Sequence, residues 1–455
     1  MADIHATRSR FDRLLGGPGA RLAGLGALVL VLLIPLAMIE GQVQERGQRR
    51  DQATFDVASS WGHAQIVSGP LLRLPYVVRW QDQEGEARSR QGWLVLTPQR
   101  LEAQAQLDSQ VRRRGIFEIP VYRSTLKLSG RFVLPDPAGL PVGLAQVDFG
   151  RAEWMLGLSQ PGALSADSRV QVADQDLRLE PSALSLGAQG VHGRLPEGAP
   201  GLRSGQALTF HAELQLQGSG SFHLAPVARE TLLDLRSDWP HPAFRGTGLP
   251  LRSDISAQGF AAQWSVAHLG RGFAPAWLDQ EVTRKQIDAA AFGVELAVPV
   301  DPYRMAERIA KYGALVLLLS FAAIWAMEML GGVPLHAVQY LLLGASVCLF
   351  GLLQLALAEH LGFVPAFVLA AAAVVTQAAG YAWMATGSAR RATTLALVLC
   401  GWFAYLYVVL QAQDVAFLMG AVALFAALTA TMWVTRRMNR SAQADTWDVA
   451  DATVE

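Results

Sequence analysis

In the stretch "LQLALAEHLGF" (353–363), Glu359 and His360 interrupt a long apolar run that resumes at Phe363. A carboxylate beside an imidazole between two bilayer-length segments could pass a proton within a membrane. The same pair could equally be the wet tip of a helical hairpin, with Gly362 making the turn. Adjacent helical residues point about 100° apart, so the two share a proton only if the helix breaks between them. The hairpin tip is therefore the reading taken. A third role is docking, with Glu359 paired to an arginine such as Arg304 or Arg308.

Other chemistry is scarce. Lys127, Lys285 and Lys311 are the lysines, and none lies in a phosphate-binding GK[ST] context. No H-E-x-x-H or G-x-S-x-G occurs. His63, His192, His211, His223, His241 and His268 are scattered, without a second ligand at metal spacing along the chain. Cys348 and Cys400 fall inside apolar runs and read as small buried hydrophobes. No catalytic residue, cofactor or metal is assigned. The densest local pattern is "SDWPHPAFRG" (237–246), where Pro240 and Pro242 hold His241 extended between Trp239 and Phe244. It reads as a rigid connection pinned by its aromatics, or else as a partner-recognition loop.

The elements that would position these residues follow from the distribution of apolar residues. The chain has 455 residues, 51% hydrophobic, with formal net charge +0, which argues against a nucleic-acid partner. Six segments approach bilayer length: about 22–39, 313–330, 337–357, 363–385, 392–411 and 415–434. The first follows an Arg-bearing head and lacks a small-residue cleavage site, so it reads as an uncleaved anchor. Arg390 and Arg391 in one turn, with Arg436, Arg437 and Arg440 after the last span, mark the cytoplasmic side. The turns "AEHLG" and "QAQD" then face outward, and both termini are cytoplasmic. Arg46, Arg49 and Arg50 oppose this, but long translocated regions largely escape the charge rule.

Between the first two spans the texture changes. "ALTFHAELQLQ" (207–217) alternates apolar and polar residues, the mark of a half-buried antiparallel strand. "STLKLSGRFVLP" (124–135) has a similar L-x-L…G…F-x-L shape, which hints at a duplicated β unit. Strand-like runs also occur at 71–80, 93–97, 176–180 and 294–300. The expected organisation is a cytoplasmic tail (1–21), an anchor (22–39), an outward-facing antiparallel β-rich domain resembling a β-sandwich (40–311), a five-helix membrane domain (312–434) and a cytoplasmic tail (435–455). A helix capped by Asp301 and opened by Pro302 should lead into the second span.

Several stretches, in order along the chain, resemble signatures of the CreD family of inner-membrane proteins. They are "GPLLRLPY" (69–76), "RRGIFEIPVY" (113–122), "WPHPAFRGTGLP" (239–250), "GFAAQW" (259–264), "LHAVQYLLLG" (335–344), "LALAEHLGF" (355–363) and "QDVAFLMG" (413–420) with "TRRM" (435–438). The pattern departs near "DFGRAEWMLGLS" (148–159), where an Asp-x-Arg-Gly turn is expected, and after "TRRM". The resemblance implies a multi-pass inner-membrane protein supporting cell-envelope integrity and the response to envelope stress such as β-lactams, tied to a two-component regulon. It makes the outward-facing domain (40–311) periplasmic and implies no reaction. The expected partners are the lipid bilayer and an unidentified envelope component, reached through a binding or structural β domain. The candidate interaction or structural residues are Trp239, Pro240, His241, Pro242, Phe244, Gln339, Tyr340, Glu359, His360 and Asp414. The alternatives are a transporter or channel formed by the C-terminal helices, and an enzyme acting on a lipid or cell-wall substrate.

Overall fold

The structure, a computed structural model, describes residues 18–81, 84, 86–135, 146–184, 188–195, 205–278, 281–298, 302–331, 336–412 and 415–435. Asp301 and Asp414, with most of both tails, lie outside them. The chain divides into two compact units, one formed by Met1–Arg49 with Val300–Glu455 and the other by Arg50–Pro299. The boundary falls inside the first helix, α1 (Pro18–Trp61), which carries the apolar anchor and the polar stretch after it as one continuous element with Pro35 inside.

The second unit is mostly strand. It opens with the long strands β1 (Gln65–Gln81), β2 (Ala87–Leu96), β3 (Arg100–Arg114) and β4 (Phe117–Val133). Shorter ones follow: β5 (Gln146–Val147), β6 (Glu153–Leu158), β7 (Arg169–Val172), β8 (Gln175–Asp176), β9 (Glu180–Leu184) and β10 (Ala188–Arg194). Next come β11 (Ala207–Ser219), β12 (Ser221–Ala225), β13 (Glu230–Ser237), β14 (Pro242–Gly246), β15 (Arg252–Ser256) and β16 (Gly259–Ala267). The unit closes with β17 (Ala276–Leu278), the short helix α2 (Arg284–Ala289) and β18 (Phe292–Leu296). Thr283 starts α2 in a capping box with Gln286.

These strands form two sheets. The ten-stranded sheet runs β14-β18-β12-β1-β6-β10-β9, with β2 and β5 also on β1 and β17 on β2. The eight-stranded sheet runs β15-β16-β13-β3-β4-β11-β7-β8. One apolar cluster draws on both, with Leu72, Trp154 and Phe222 from the first and Leu126, Phe210 and Trp264 from the second. Trp264 of one sheet meets Phe292 of the other, ring centroids 5.8 Å apart. Two layers sharing one core are what amphipathic strands require.

The alternation in β11 is realised as read, with Leu208, Phe210, Ala212, Leu214 and Leu216 buried and the residues between them exposed. Three sequence expectations are corrected. The sheets are not wholly antiparallel, because β12 runs parallel to β1 and β13 parallel to β3. Both partners are far apart in the chain, so long connections bring them back in either sense. The run 176–180 is not one strand but the end of β8 and the start of β9. The two L-x-L…G…F-x-L units are not repeats in space. β4 passes straight through Gly130, whereas Gly220, at φ 71°, turns the chain out of the eight-stranded sheet and sends Phe222 into the ten-stranded one.

The other unit is helical. After α1 it holds α3 (Pro302–Gly331), α4 (Ala337–Leu361), α5 (Phe363–Thr386), α6 (Ala389–Gln411) and α7 (Ala416–Thr435). Among the described residues four helices are long and apolar enough to cross a membrane: α1 over Gly24–Trp61, α4, α5 and α6. Phe350 packs on Phe367 and Phe403, with centroids at 5.2 and 4.5 Å. α4 and α5 are joined by Gly362 alone, whose φ of 80° is a conformation open to glycine and costly for other residues.

Candidate functional site

The site in the β unit is built by register. Arg73 of β1 lies opposite Glu153 of β6, and Glu153 lies opposite Arg194 of β10. Three adjacent strands therefore carry a plus–minus–plus row on one face, the favourable arrangement of cross-strand charges. Every residue of β6 is buried, and Glu153 is only 5% exposed. Arg73, equally enclosed, donates through Nε to Glu153 Oε2 at 2.5 Å, with a second contact from Nη2. Arg194 donates through Nε to Glu153 Oε1 at 3.2 Å, while its side chain stays 79% exposed. Each carboxylate oxygen thus has a guanidinium partner. The Arg73 guanidinium also lies over the Trp93 ring, 4.4 Å from its centroid, which fixes the plane of the fork.

Above this row opens a cavity of about 530 Å³ lined by residues including Pro75, Gln91, Trp93, Arg151, Glu153 and Arg194. A 3-10 turn, Phe149–Arg151, forms part of its wall. Asp148 caps that turn by accepting from Gly150 N–H at 3.0 Å, and Arg151 Nε donates to its other oxygen at 2.6 Å. The Arg151 bond holds the Asp148 carboxyl below the usual carboxylate range. Among the described residues no Ser, Cys, Lys or His lines the cavity, which offers guanidinium donors, an aromatic wall, the Tyr76 side chain and one carboxylate, Glu153, already held by two arginines. Among the described residues no group of three or more His, Cys, Asp or Glu could hold a metal.

The residues singled out in the sequence lie elsewhere. Trp239 is half-buried, and its Nε1–H donates to Ala297 O at 2.9 Å. Pro240 and Pro242 are half-buried while His241 is exposed. Pro242 begins β14, an edge strand, where a missing N–H is tolerated. Phe244 meets Phe260 and Trp264 edge-on at 5.9 and 5.5 Å. That placement is a connection pinned by its aromatics.

In the helical unit Glu359 and His360 part company at the end of α4. His360 is exposed, whereas the Glu359 side chain is 9% exposed. Glu359 accepts from the Tyr303 hydroxyl at 3.3 Å and lies 3.6 Å from Arg46 Nη1. The docking arginine is thus Arg46, not Arg304 or Arg308. α1 stays helical well past its apolar run and carries Arg46 to this end, while Arg308 donates to Val409 O at 3.1 Å. Gln339 accepts from His336 N–H at 2.9 Å and so caps α4. Tyr340 donates to Glu328 at 2.7 Å. Cys348 is buried as expected, but Cys400 is exposed on α6.

Sequence reasoning passed over Arg73, Glu153 and Arg194. A signal was present, because "LLRLPYVV" and "EWMLGL" each hold one charge, of opposite sign, in an otherwise apolar strand. A lone charge in a buried strand calls for a partner.

Comparison with known proteins now decides the family. The description "Inner membrane protein CreD" matches residues 18–441. The chain belongs to the CreD family. It is 30% identical to the inner membrane protein CreD of Escherichia coli (strain K12) over 430 residues, covering 92% of this chain and 93% of that one. The CreD match spans the anchor, the β unit and the C-terminal helices alike. It includes Arg73 within "GPLLRLPY" and Glu153 within the stretch that departs from the expected turn.

Proposed function

We propose that this CreD-family chain supports the integrity of the cell envelope from the inner membrane, through a periplasmic β unit that binds rather than catalyses. In this reading α3 and α7 also cross the bilayer, for six spans in all. Both termini lie in the cytoplasm, because Arg390 and Arg391 lie in the first turn of α6, at its α5 end, and the arginines after α7 share that side. The observation that carries the binding role is the cavity over the buried Arg73–Glu153–Arg194 row. Among the described residues it gathers guanidinium and aromatic recognition groups, and its one carboxylate is already held by two arginines. A catalytic reading calls for converging histidines and carboxylates, and among the described residues the cavity wall has one carboxylate and no histidine.

A reporter active only in the periplasm, fused near residue 200, tests the location, and β-lactam challenge of cells lacking the chain tests the role. The expected result is an active reporter, with sensitivity that the wild-type chain reverses. A cytoplasmic-type signal, or unchanged resistance without the chain, overturns the proposal.

One observation favours a second reading, solute movement through the helices. Gln354 in α4 is 0% exposed, and neither of its amide atoms has a partner among the described residues. A buried polar group at bilayer depth is a functional-site candidate. Flux through proteoliposomes that collapses in Gln354→Leu would establish that reading.

A further inference from the structure

The buried charge row is hard to explain as a stabilising device. Desolvating Arg73 and Glu153 costs about what their attraction returns, and apolar residues of similar size commonly do as well or better. The third member is stranger still. Arg194 is 79% exposed on its side chain, so water screens its attraction to Glu153 and the pair adds little stability. What the row does achieve is orientation. Glu153 takes the Nε of Arg194 and leaves its terminal nitrogens without a hydrogen-bond partner among the described residues. Asp148 does the same for Arg151 on the adjoining wall. Two oriented guanidinium groups therefore border one cavity of about 530 Å³, a volume within the usual range of small-molecule sites. Gln91 adds a neutral amide, and Trp93 and Pro75 add apolar surface.

We infer that this cavity binds a small polyhydroxylated anion, an acidic sugar or a sugar phosphate, with Arg151 and Arg194 holding the anionic group. Guanidinium forks match carboxylate and phosphate oxygens in pairs, which fixes the ligand's orientation as well as its charge. Gln91 meets a hydroxyl, and the Trp93 wall meets the sugar's C–H surface. Glu153 stays with its two arginines and acts as a positioning residue. The inference rests on the reading of the β unit as a binding module and names what that module takes.

The test is isothermal titration of the full-length protein in detergent micelles at low salt, with D-glucuronate, D-glucose 6-phosphate and neutral D-glucose. At least one of the two anions should bind, one per chain, weakening as salt rises, while glucose gives no heat. Preference for glucuronate assigns a carboxylate ligand and preference for the sugar phosphate assigns a phosphate ligand. Arg194→Gln and Arg151→Gln should each weaken binding about tenfold or more, the loss of one charge-assisted hydrogen bond. Both variants leave Arg73 on Glu153, so an unchanged melting temperature separates lost binding from lost folding. Absence of heat with both anions, glucose binding as well as they do, or both variants binding like wild type overturns the inference. A periplasmic reporter with no heat overturns the ligand site and leaves the location standing. A cytoplasmic reporter with anion binding overturns the location and supports the site.

Discussion

Glu153 in the β unit and Glu359 at the end of α4 look alike by enclosure, with side chains 6% and 9% exposed. They differ in their partners. Arg73, beside Glu153, is 11% exposed on its side chain, whereas Arg46, beside Glu359, is 41% exposed. Both oxygens of Glu153 meet a guanidinium, but Glu359 has a 3.6 Å approach to Arg46 and a 3.3 Å bond from a tyrosine hydroxyl. The lesson is that the burial of a carboxylate does not set its energetic weight. What counts is whether its partner could find water if the carboxylate were gone.

The largest expected effect follows directly. Glu153→Gln leaves Arg73 buried without a countercharge, and its stability in thermal or denaturant unfolding should fall by about 3–5 kcal/mol. A double variant, Arg73→Met with Glu153→Leu, should regain most of that loss, since it removes both desolvated charges. If the single variant unfolds like wild type, the contrast between the two carboxylates disappears.

Trp239→Ala extends the contrast from charge to packing. The ring is half-buried and hydrogen-bonded to Ala297, so truncation should cost about 2–3 kcal/mol, short of a fully buried aromatic. Wild-type stability combined with lost envelope protection would make "SDWPHPAFRG" a recognition loop instead.

The contrast also separates what the sequence displayed from what it hid. The apolar runs of α4, α5 and α6 and the alternation in β11 were readable because each pattern is local and has a fixed period. The Gly362 turn was readable because one residue type serves it. The row at Arg73, Glu153 and Arg194 was not, because it depends on pairing among strands separated by some 80 and 41 positions. Local pattern tells that a lone charge sits in a buried strand, but only register names its partner. Arg46 escaped for a related reason. Its distance from Glu359 depends on α1 staying helical beyond the apolar run, which the hydropathy of the span does not reveal.

A smaller effect is expected at the helical hairpin. Glu359→Gln should change stability by no more than about 1 kcal/mol, because Arg46 remains exposed enough to be solvated. Glu359→Arg should disturb the packing there, and Arg46→Glu in the same chain should restore it. Failure of the exchanged pair, with rescue instead by Arg304→Glu or Arg308→Glu, would move the contact to α3.

The smallest effect concerns a titratable group that is enclosed without an ion pair of its own. His223 lies in β12 between β1 and β18, and burial pushes its imidazole below the usual histidine range, with nearby Glu295 opposing the shift. The folded state therefore binds a proton less readily than the unfolded state, whose histidines titrate near about pH 6.5. Above that pH both states are neutral at this position and its contribution is fully present. As pH falls below it the unfolded state takes up the proton first, so stability declines until the folded-state value is passed and then levels off. Melting temperatures at pH 7.5 and pH 5.5 should differ more for wild type than for His223→Asn. Equal differences would mean that His223 reaches water in the folded protein. Enclosure without a charged partner would then carry even less weight than the Glu359 comparison suggests.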